Sequence, residues 1–370
     1  MKVLLLTTES SLMDGINRHV ATIAAGLVVE GAEVAVCTTH GEGDLTHEVR
    51  KGGARIYMLN CNHGHDPRML WRFYRVIREF NPDVVHIHCL ALMERIVLSV
   101  FFNHARKILT IHAIQDPIKR VSFKSRVEVL LTRMFEIDVR GKIFISQGVA
   151  RALSNEDNPR VVYNPMGKIE SPNDGKLRKE LGLSSDAKVV GTACRIAEVK
   201  NPQAFTRVMV EVTKRVAGTH AIIIGDGEAG LMAELRKIAV DAPNVHFLGY
   251  RTDARQLISE CDCFVMTSAR EGMPTAMLEA MSAGVPVAFW RGEGGLIDLA
   301  ELNEREGRFG VIVDQGDELG LVDGVCRILN TGFVGNGRKV VADHFALSTV
   351  SRQLKCLYES VLSDTYVKDR

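Results

Sequence analysis

The chain has 370 residues and a mass of 40.9 kDa, more than one hydrophobic core usually serves, so we expect two domains. Its 46 Lys and Arg against 45 Asp and Glu leave a net charge of +1, which argues against a nucleic-acid partner. No apolar run approaches the ~20 residues that span a bilayer, and the opening "MKVLLLTTESS" lacks a secretory core, so we expect a cytoplasmic protein with eight reduced cysteines.

The first half alternates short β-branched runs with helical patterns. The predicted strands are "KVLLLTT", "EVAVCTT", "RIYMLN", "DVVHIHC", "KILTIHA", "KIFISQ" and "RVVYNP", and the clearest helices are "NRHVATIAAGLV" and "MLWRFYRVIREF". Such alternation predicts an α/β fold with a parallel sheet covered by helices on both faces.

The pattern begins again after a polar stretch that contains Pro172 and Gly175. The second set of predicted strands is "KVVGTAC", "HAIIIG", "NVHFLG", "CFVMTS", "VPVAFW" and "GVIVD". We therefore predict two doubly wound domains, residues 1–168 and 169–345, followed by a helical segment 346–370 that packs back toward the first domain.

The loop after "CFVMTS" is the most informative stretch. Glu271 precedes Gly-Met-Pro and a helix "TAMLEAMSAG" that we expect to end at Gly284. With Pro274 as the first helical residue, the helix start would present free backbone amides to a phosphate; these are the amides of Met273, Thr275 and Ala276. Glu271 and Glu279, eight positions apart, can flank such a ligand and accept hydrogen bonds from sugar hydroxyls.

Two cations follow the first strand of this half. Arg195 and Lys200 alone would be solvated surface charges, but together with the Glu271 loop they predict a clamp for a diphosphate.

A glycine loop in "IIIGDGEAG" raises a competing function. Gly225, Gly227 and Gly230 have the spacing of a dinucleotide-binding loop, which suggests an NAD-dependent oxidoreductase. The loop lies in the middle of the chain, and the next strand, in "APNVHFLGY", ends without the acidic residue that would bind a ribose. We therefore expect these glycines to line a nucleotide-sugar site instead.

Several motifs together resemble those of the retaining glycosyltransferases of family 4. They are "CRIAEVKN", "IIGDGE", "VHFLGY" and "SAREGMPTAMLEAMSAGVPV", with weaker matches in "DGINRHVATIAAGL", "PDVVHIHCL", "TIHA" and "YNPMG". The resemblance implies the GT-B architecture, in which two Rossmann-like domains face a central cleft, the first for the acceptor and the second for the donor.

The resemblance also implies residue roles. Glu271 would contact the donor sugar, Glu279 the ribose, and Arg195 and Lys200 the diphosphate, while His112 would contact the transferring sugar. Further donor contacts would come from Gly15, Gly225, Gly272, Met273, Pro274 and Thr275, and we expect base recognition around Tyr250 and Arg251. Two positions depart from the family pattern: Asp14 replaces a glycine, and Asp298 stands where a glutamate is frequent, so neither is given a role.

The expected reaction is transfer from a nucleotide-diphosphate sugar, UDP- or GDP-linked, to a saccharide or lipid-linked acceptor with retention at the anomeric carbon. The chain has no Asp-x-Asp, so we expect no metal and no cofactor. A nucleotide-sugar 2-epimerase is the alternative on a similar frame, but it would need further acid and base residues that the sequence does not identify.

Two further features have alternative interpretations. His86 and His88 share a strand face and could bind a metal, but with no Asp or further His nearby we expect structural packing. Residues 95–142 hold ten Lys or Arg against four Asp or Glu, which could mark either a peripheral membrane contact or a solvated helix face.

Overall fold

The computed structural model describes residues 1–8, 15–61, 66–89, 92–100, 102, 105–114, 139, 141–167 and 175–363. Two compact units divide the chain, the first with Met1–Ile145, Leu153–Pro165 and the segment from Ala346 onward, the second with Ser146–Ala152 and Met166–Phe345. The segment Ser146–Ala152 thus belongs to the second unit although it precedes the predicted boundary at 168. The acceptor and donor roles of the two domains stay predictions.

The elements up to residue 165 alternate as the sequence predicts. The strands are β1 (Lys2–Thr7), β2 (Glu33–Thr38), β3 (Arg55–Met58), β4 (Val84–Ile87), β5 (Arg106–Ile111) and β6 (Gly141–Phe144). The helices are α1 (Gly15–Val29), α2 (Asp44–Lys51), α3 (Arg68–Phe80), α4 (Leu92–Val100) and α5 (Gln147–Leu153). The predicted strand "RVVYNP" is wrong: only Val161 forms an isolated parallel bridge, to Phe144.

The second half repeats the pattern. Its strands are β7 (Lys188–Ala193), β8 (Thr219–Ile224), β9 (Val245–Gly249), β10 (Cys263–Met266), β11 (Arg270–Glu271), β12 (Val287–Arg291), β13 (Glu293–Gly294) and β14 (Gly310–Asp314). Its helices are α6 (Lys176–Glu180), α7 (Pro202–Arg215), α8 (Ala229–Ile238), α9 (Ala254–Ser259), α10 (Thr275–Ala283), α11 (Gly295–Arg305), α12 (Glu318–Thr331), α13 (Gly337–His344) and α14 (Leu347–Ser363).

Each unit is built on a six-stranded parallel sheet. The strand orders are β3-β2-β1-β4-β5-β6 in the first unit and β14-β12-β10-β7-β8-β9 in the second. Both are the doubly wound order, which reverses direction next to the first strand of the unit, between β1 and β4 and between β7 and β10. Ligands of such sheets bind at the carboxyl ends of the strands at this reversal, which is where the chemistry is expected.

Side-chain alternation along β1 explains why the first sheet is covered on both faces. Val3 and Leu5 pack into one buried cluster, and Leu4 and Leu6 pack into another. Helices α1 and α14 contribute to the first cluster, and α3 contributes to the second. The C-terminal helix α14 is therefore part of the first unit's core, with Tyr358 fully buried.

No helix among the described residues is long and apolar enough to cross a membrane. Most of the basic region 95–142, residues 115–138 above all, lies outside the described part of the chain.

Candidate functional site

The predicted donor residues lie at the strand-order reversal of the second sheet. Lys200 is in the loop after β7, and Glu271 ends β11, the short strand that follows β10. Strands β7 and β10 are neighbours in the sheet. The loops are bonded to each other: the Thr267 hydroxyl donates to the Asn201 carbonyl at 2.9 Å, and the Ala269 amide donates to the Val199 carbonyl at 3.1 Å. The sheet topology thus brings together residues that are 71 positions apart.

Lys200 and Glu271 form an ion pair. The Lys200 Nζ lies 2.6 Å from both carboxylate oxygens of Glu271, and Glu271 is only 8% exposed. An ammonium carries three N–H donors, so this pairing leaves one that can reach a second acceptor. The sequence predicted both residues at the site but did not predict that they contact each other.

The helix start beside this pair presents backbone amides, with a small change from the prediction. Helix α10 begins at Thr275, and Pro274 is its N-cap rather than its first residue. The carbonyl of Pro274 accepts the amides of Met277 and Leu278, so the first two amides of the helix, those of Thr275 and Ala276, have no partner within the helix. The predicted end at Gly284 is confirmed, with a left-handed φ of 82°.

A second ion pair follows on the same helix. Glu279 is 4% exposed and accepts a hydrogen bond from the Arg255 Nε at 2.5 Å. Arg255 lies on α9. The sequence analysis missed it because nothing in "RTDAR" distinguishes Arg255 from Arg251 as a partner for Glu279. Both carboxylates of the predicted donor site therefore face a cation.

Arg195 and Cys194 lie just beyond β7. Arg195 is exposed and has no ion-pair partner among the described residues, so its guanidinium remains available to a ligand. Burial raises the pKa of the neighbouring Cys194 thiol to about 11, so this cysteine stays protonated and is no nucleophile near neutral pH.

The glycine loop after β8 packs against protein backbone. Gly225 has a φ of +135°, and a Cβ there would lie 1.8 Å from the Cys194 carbonyl oxygen. A Cβ on Gly227 would lie 2.0 Å from the carbonyl oxygen of Ile196, whose amide donates to Asp226. In this structure the glycines permit close approach to the loop after β7, the one that carries Arg195 and Lys200.

Tyr250 and Arg251 follow β9 and differ in their surroundings. Tyr250 is 51% exposed. The Arg251 guanidinium bonds Asp253 at 2.8 Å and Glu180 at 2.5 Å, and these two carboxylates raise its pKa. Arg251 thus anchors α6 to this loop, and its predicted role in base recognition stays a prediction.

Gly272 supports the site through its backbone. Its carbonyl accepts the Gly295 amide at 3.2 Å, and the space is too tight for a side chain, since a Cβ on Gly295 would lie 2.6 Å from that oxygen. Met273 beside it is buried, with 6% exposure.

Asp298, to which the sequence analysis gave no role, caps α5. It is 2% exposed, and its two carboxylate oxygens accept the amides of Gln147 and Gly148 at 2.7 Å each. The sequence signal for this role was an aspartate at a position where the family often has glutamate. The structure shows that the carboxylate at this position accepts the two amides at the start of α5.

The first unit places His112 after β5 and Gly15 at the start of α1. A Cβ on Gly15 would meet no atom within 4 Å, and Asp14 lies outside the described residues. Burial lowers the pKa of His112 to about 4, so its ring is neutral at physiological pH.

The expectation that His86 and His88 have no histidine nearby is wrong. Nδ1 of His88 lies 2.9 Å from Nε2 of His112, and the ring of His19 on α1 lies 5.3 Å from each of these two rings. The signal was absent because the three residues are far apart in sequence and meet only at the carboxyl ends of β4 and β5.

Two family models match the chain in succession. The model described as Glycosyltransferase Family 4 matches residues 13–166, and the model described as Glycosyl transferases group 1 matches residues 187–331. The lipopolysaccharide core biosynthesis glycosyltransferase LpsE of Rhizobium meliloti is 29% identical over 47% of this chain, and the chain spans half of LpsE. An Escherichia coli UDP-Gal:alpha-D-GlcNAc-diphosphoundecaprenol alpha-1,3-galactosyltransferase is 30% identical over 60% of this chain and 61% of its own length.

Solved structures agree on the fold. Anabaena HepE, crystallised in complex with UDP-glucose, superposes with a TM-score of 0.74 at 22% identity, covering 97% of this chain and 100% of HepE. The two six-stranded parallel sheets and the likeness to HepE establish an α/β GT-B fold with two Rossmann-like domains. The two family models, one on each half of the chain, support a glycosyltransferase of the family 4 type.

Proposed function

We propose that this protein transfers a sugar from a nucleotide-diphosphate sugar to a saccharide or lipid-linked acceptor, with retention of the anomeric configuration. The observation that carries the proposal is the convergence of Lys200, Glu271 and the α10 amides at the strand-order reversal of the second sheet. Cations and free amides beside buried carboxylates suit a ligand that carries both a diphosphate and hydroxyl groups.

The charge that develops in the reaction explains the cations. Breaking the bond between the anomeric carbon and the diphosphate oxygen leaves an oxocarbenium-like sugar and a diphosphate anion. Lys200, Arg195 and the amides of Thr275 and Ala276 would stabilise that anion, and such groups lower the barrier because they act where charge appears.

Glu271 would do two things in this scheme. Its pairing with Lys200 holds the ammonium in place before the donor binds, so less reorganisation is needed when the diphosphate arrives. Its oxygens can also accept hydrogen bonds from the hydroxyls of the donor sugar, as the family resemblance implies.

Retention is proposed through front-face return on the donor. The two carboxylates of the second unit's predicted site, Glu271 and Glu279, are each held by a cation, which makes either a poor covalent nucleophile. Proton NMR of the freshly formed product should show the donor's anomeric configuration, and an inverted linkage would refute this part of the proposal.

The donor and acceptor classes are supported by the relatives. HepE was crystallised with UDP-glucose, and the E. coli relative is named for a UDP-galactose donor and a diphosphoundecaprenol acceptor. We propose a UDP- or GDP-sugar donor. Incubation with UDP-, GDP-, ADP- and dTDP-sugars, scored for nucleotide release with and without glycan acceptors, tests this, and release from none of them would overturn it.

The reaction is proposed to need neither metal nor cofactor, because cations of the chain take the place of a divalent ion at the diphosphate. Activity should survive dialysis against EDTA, and a requirement for added Mg²⁺ or Mn²⁺ would contradict this.

Contact of the basic region 95–142 with membranes is likewise a proposal. Co-sedimentation with anionic liposomes at low salt tests it, and the absence of binding would reject it.

A further inference from the structure

Three imidazoles meet in the first unit. His19 comes from α1, His88 follows β4 and His112 follows β5. Each offers one ring nitrogen, and these nitrogens all lie within 4.8 Å of one another. His19 and His88 are 7% and 5% exposed, whereas His112 is only half-buried, so the cluster has one side that solutes can reach.

A fourth histidine lies beside the cluster and differs from its members in its hydrogen bonds. The ring of His86 lies 4.1 Å from that of His88, but both of its nitrogens are bonded at 2.6 Å, Nδ1 to the Tyr358 hydroxyl and Nε2 to the Thr110 hydroxyl. The hydrogen-bonding capacity of His86 is therefore used within the fold.

The cluster itself is not satisfied in this way. Nδ1 of His19 and Nε2 of His88 are buried and have no hydrogen-bond partner in the described structure. Buried polar atoms without a partner cost folding free energy, so two of them on rings 5.3 Å apart suggest that a ligand belongs there. Within the cluster, His88 and His112 approach to hydrogen-bonding distance, whereas His19 meets both of them through ring contacts.

We propose that His19, His88 and His112 form a binding site for a divalent transition-metal ion of the Zn²⁺ class. Neutral imidazoles are ordinary zinc ligands, with Zn–N distances of about 2.0–2.1 Å, and three of them leave a fourth position open. The ring nitrogens lie within 4.8 Å of one another, so side-chain rotations would bring all three onto one ion. Burial already keeps these rings deprotonated, as metal binding requires.

The consequence for activity rests on the proposed function. If His112 contacts the transferring sugar, a metal on its ring competes with the donor, so the site is inhibitory rather than catalytic. The protein would then work without metal and lose activity when Zn²⁺ is added.

Equilibrium dialysis of the full chain against Zn²⁺ tests the site without any donor. We expect one equivalent per chain with an X-ray absorption spectrum of a three-imidazole shell, and binding at least about 10-fold weaker in both His19→Gln and His88→Gln. The exposed His47 on α2 provides the control His47→Gln, which should bind as the parent does.

Less than about 0.1 equivalent bound to the parent chain, a spectrum without three imidazoles, or equal binding by the parent and both cluster variants would overturn the proposal. The spectrum of the parent chain needs no variant, so the test stands even if a substitution impairs folding, which circular dichroism would reveal. Because binding is measured apart from turnover, a failure of the glycosyltransferase proposal would leave this result intact.

Discussion

Lys200 and Glu271 depend on each other, which affects how a substitution at either is interpreted. Lys200→Ala would remove the proposed diphosphate contact and also leave a carboxylate of 9% side-chain exposure without its cation. We expect turnover to fall by roughly 10²–10³-fold, since a preorganised charge is lost. We expect the unfolding free energy to decrease by an amount near the low end of the range of about 3–5 kcal/mol that breaking a buried ion pair costs. Nucleotide-release kinetics and urea unfolding measure the two effects.

The double variant Lys200→Met with Glu271→Gln separates them. It removes both charges, so stability should return to near that of the parent while turnover stays low. If the double variant regained activity together with stability, Lys200 would be a structural cation and its diphosphate role would be wrong.

Glu279 allows a prediction about binding rather than chemistry. Since the family resemblance assigns it to the ribose, Glu279→Gln should raise the donor KM by about 10-fold and leave kcat nearly unchanged, the pattern of uniform binding loss. Arg255→Gln is the matched variant, because it removes the partner of Glu279 and leaves the carboxylate. A fall in kcat with an unchanged KM in Glu279→Gln would place Glu279 at the reacting bond instead.

At the scale of elements, the β8–α8 connection is fixed by its glycines. Gly227→Ala would place a methyl group 2.0 Å from the Ile196 carbonyl oxygen, so the loop with Arg195 and Lys200 must shift. We expect a loss of at least about 2 kcal/mol in unfolding free energy and a weaker donor affinity.

Gly230→Ala is the control for that substitution. It lies in α8, and its added Cβ meets nothing within 4 Å, so the change should be neutral or stabilising by up to about 1 kcal/mol, the helix propensity difference. Equal effects of the two substitutions in urea unfolding would show that the close backbone contact at Gly227 is unimportant.

For the whole molecule, periodicity was enough to predict both sheets. Twelve of the thirteen predicted strands are present because buried parallel strands require continuous β-branched runs; "RVVYNP" forms only a bridge since it lies beyond β6 at the sheet's edge. Motif spacing predicted that Lys200 and Glu271 belong to one site; the two side chains are in contact, and their donor roles stay predictions. It could not predict their ion pair, the Arg255–Glu279 pair or the His19–His88–His112 cluster, because these depend on which loops the strand order brings together.

The buried histidines predict that the first unit is acid-sensitive. Burial lowers the pKa of His86 to about 3 and of His112 to about 4, and it also lowers those of His19 and His88. Below the unfolded value of about 6.5, the unfolded chain binds protons that the folded unit excludes, so stability is complete above pH 6.5 and falls with pH. For a single histidine such as His86 the loss is about 1.4 kcal/mol per pH unit between pH 6.5 and its folded pKa, and because the four rings interact their losses do not add.

Thermal unfolding in EDTA should therefore show that the first unit unfolds at a lower temperature at pH 5 than at pH 7. Trp290 is buried in the second unit and Trp71 is 62% exposed in the first, so in a Trp71→Phe background fluorescence reports the second unit alone. At pH 5, far-UV circular dichroism should begin to fall at a lower temperature than Trp290 fluorescence changes. His86→Gln retains hydrogen-bonding groups for Tyr358 and Thr110 but cannot be protonated, so it should reduce the pH dependence. A pH dependence equal to that of the parent would show that protonation of His86 does not drive the acid transition.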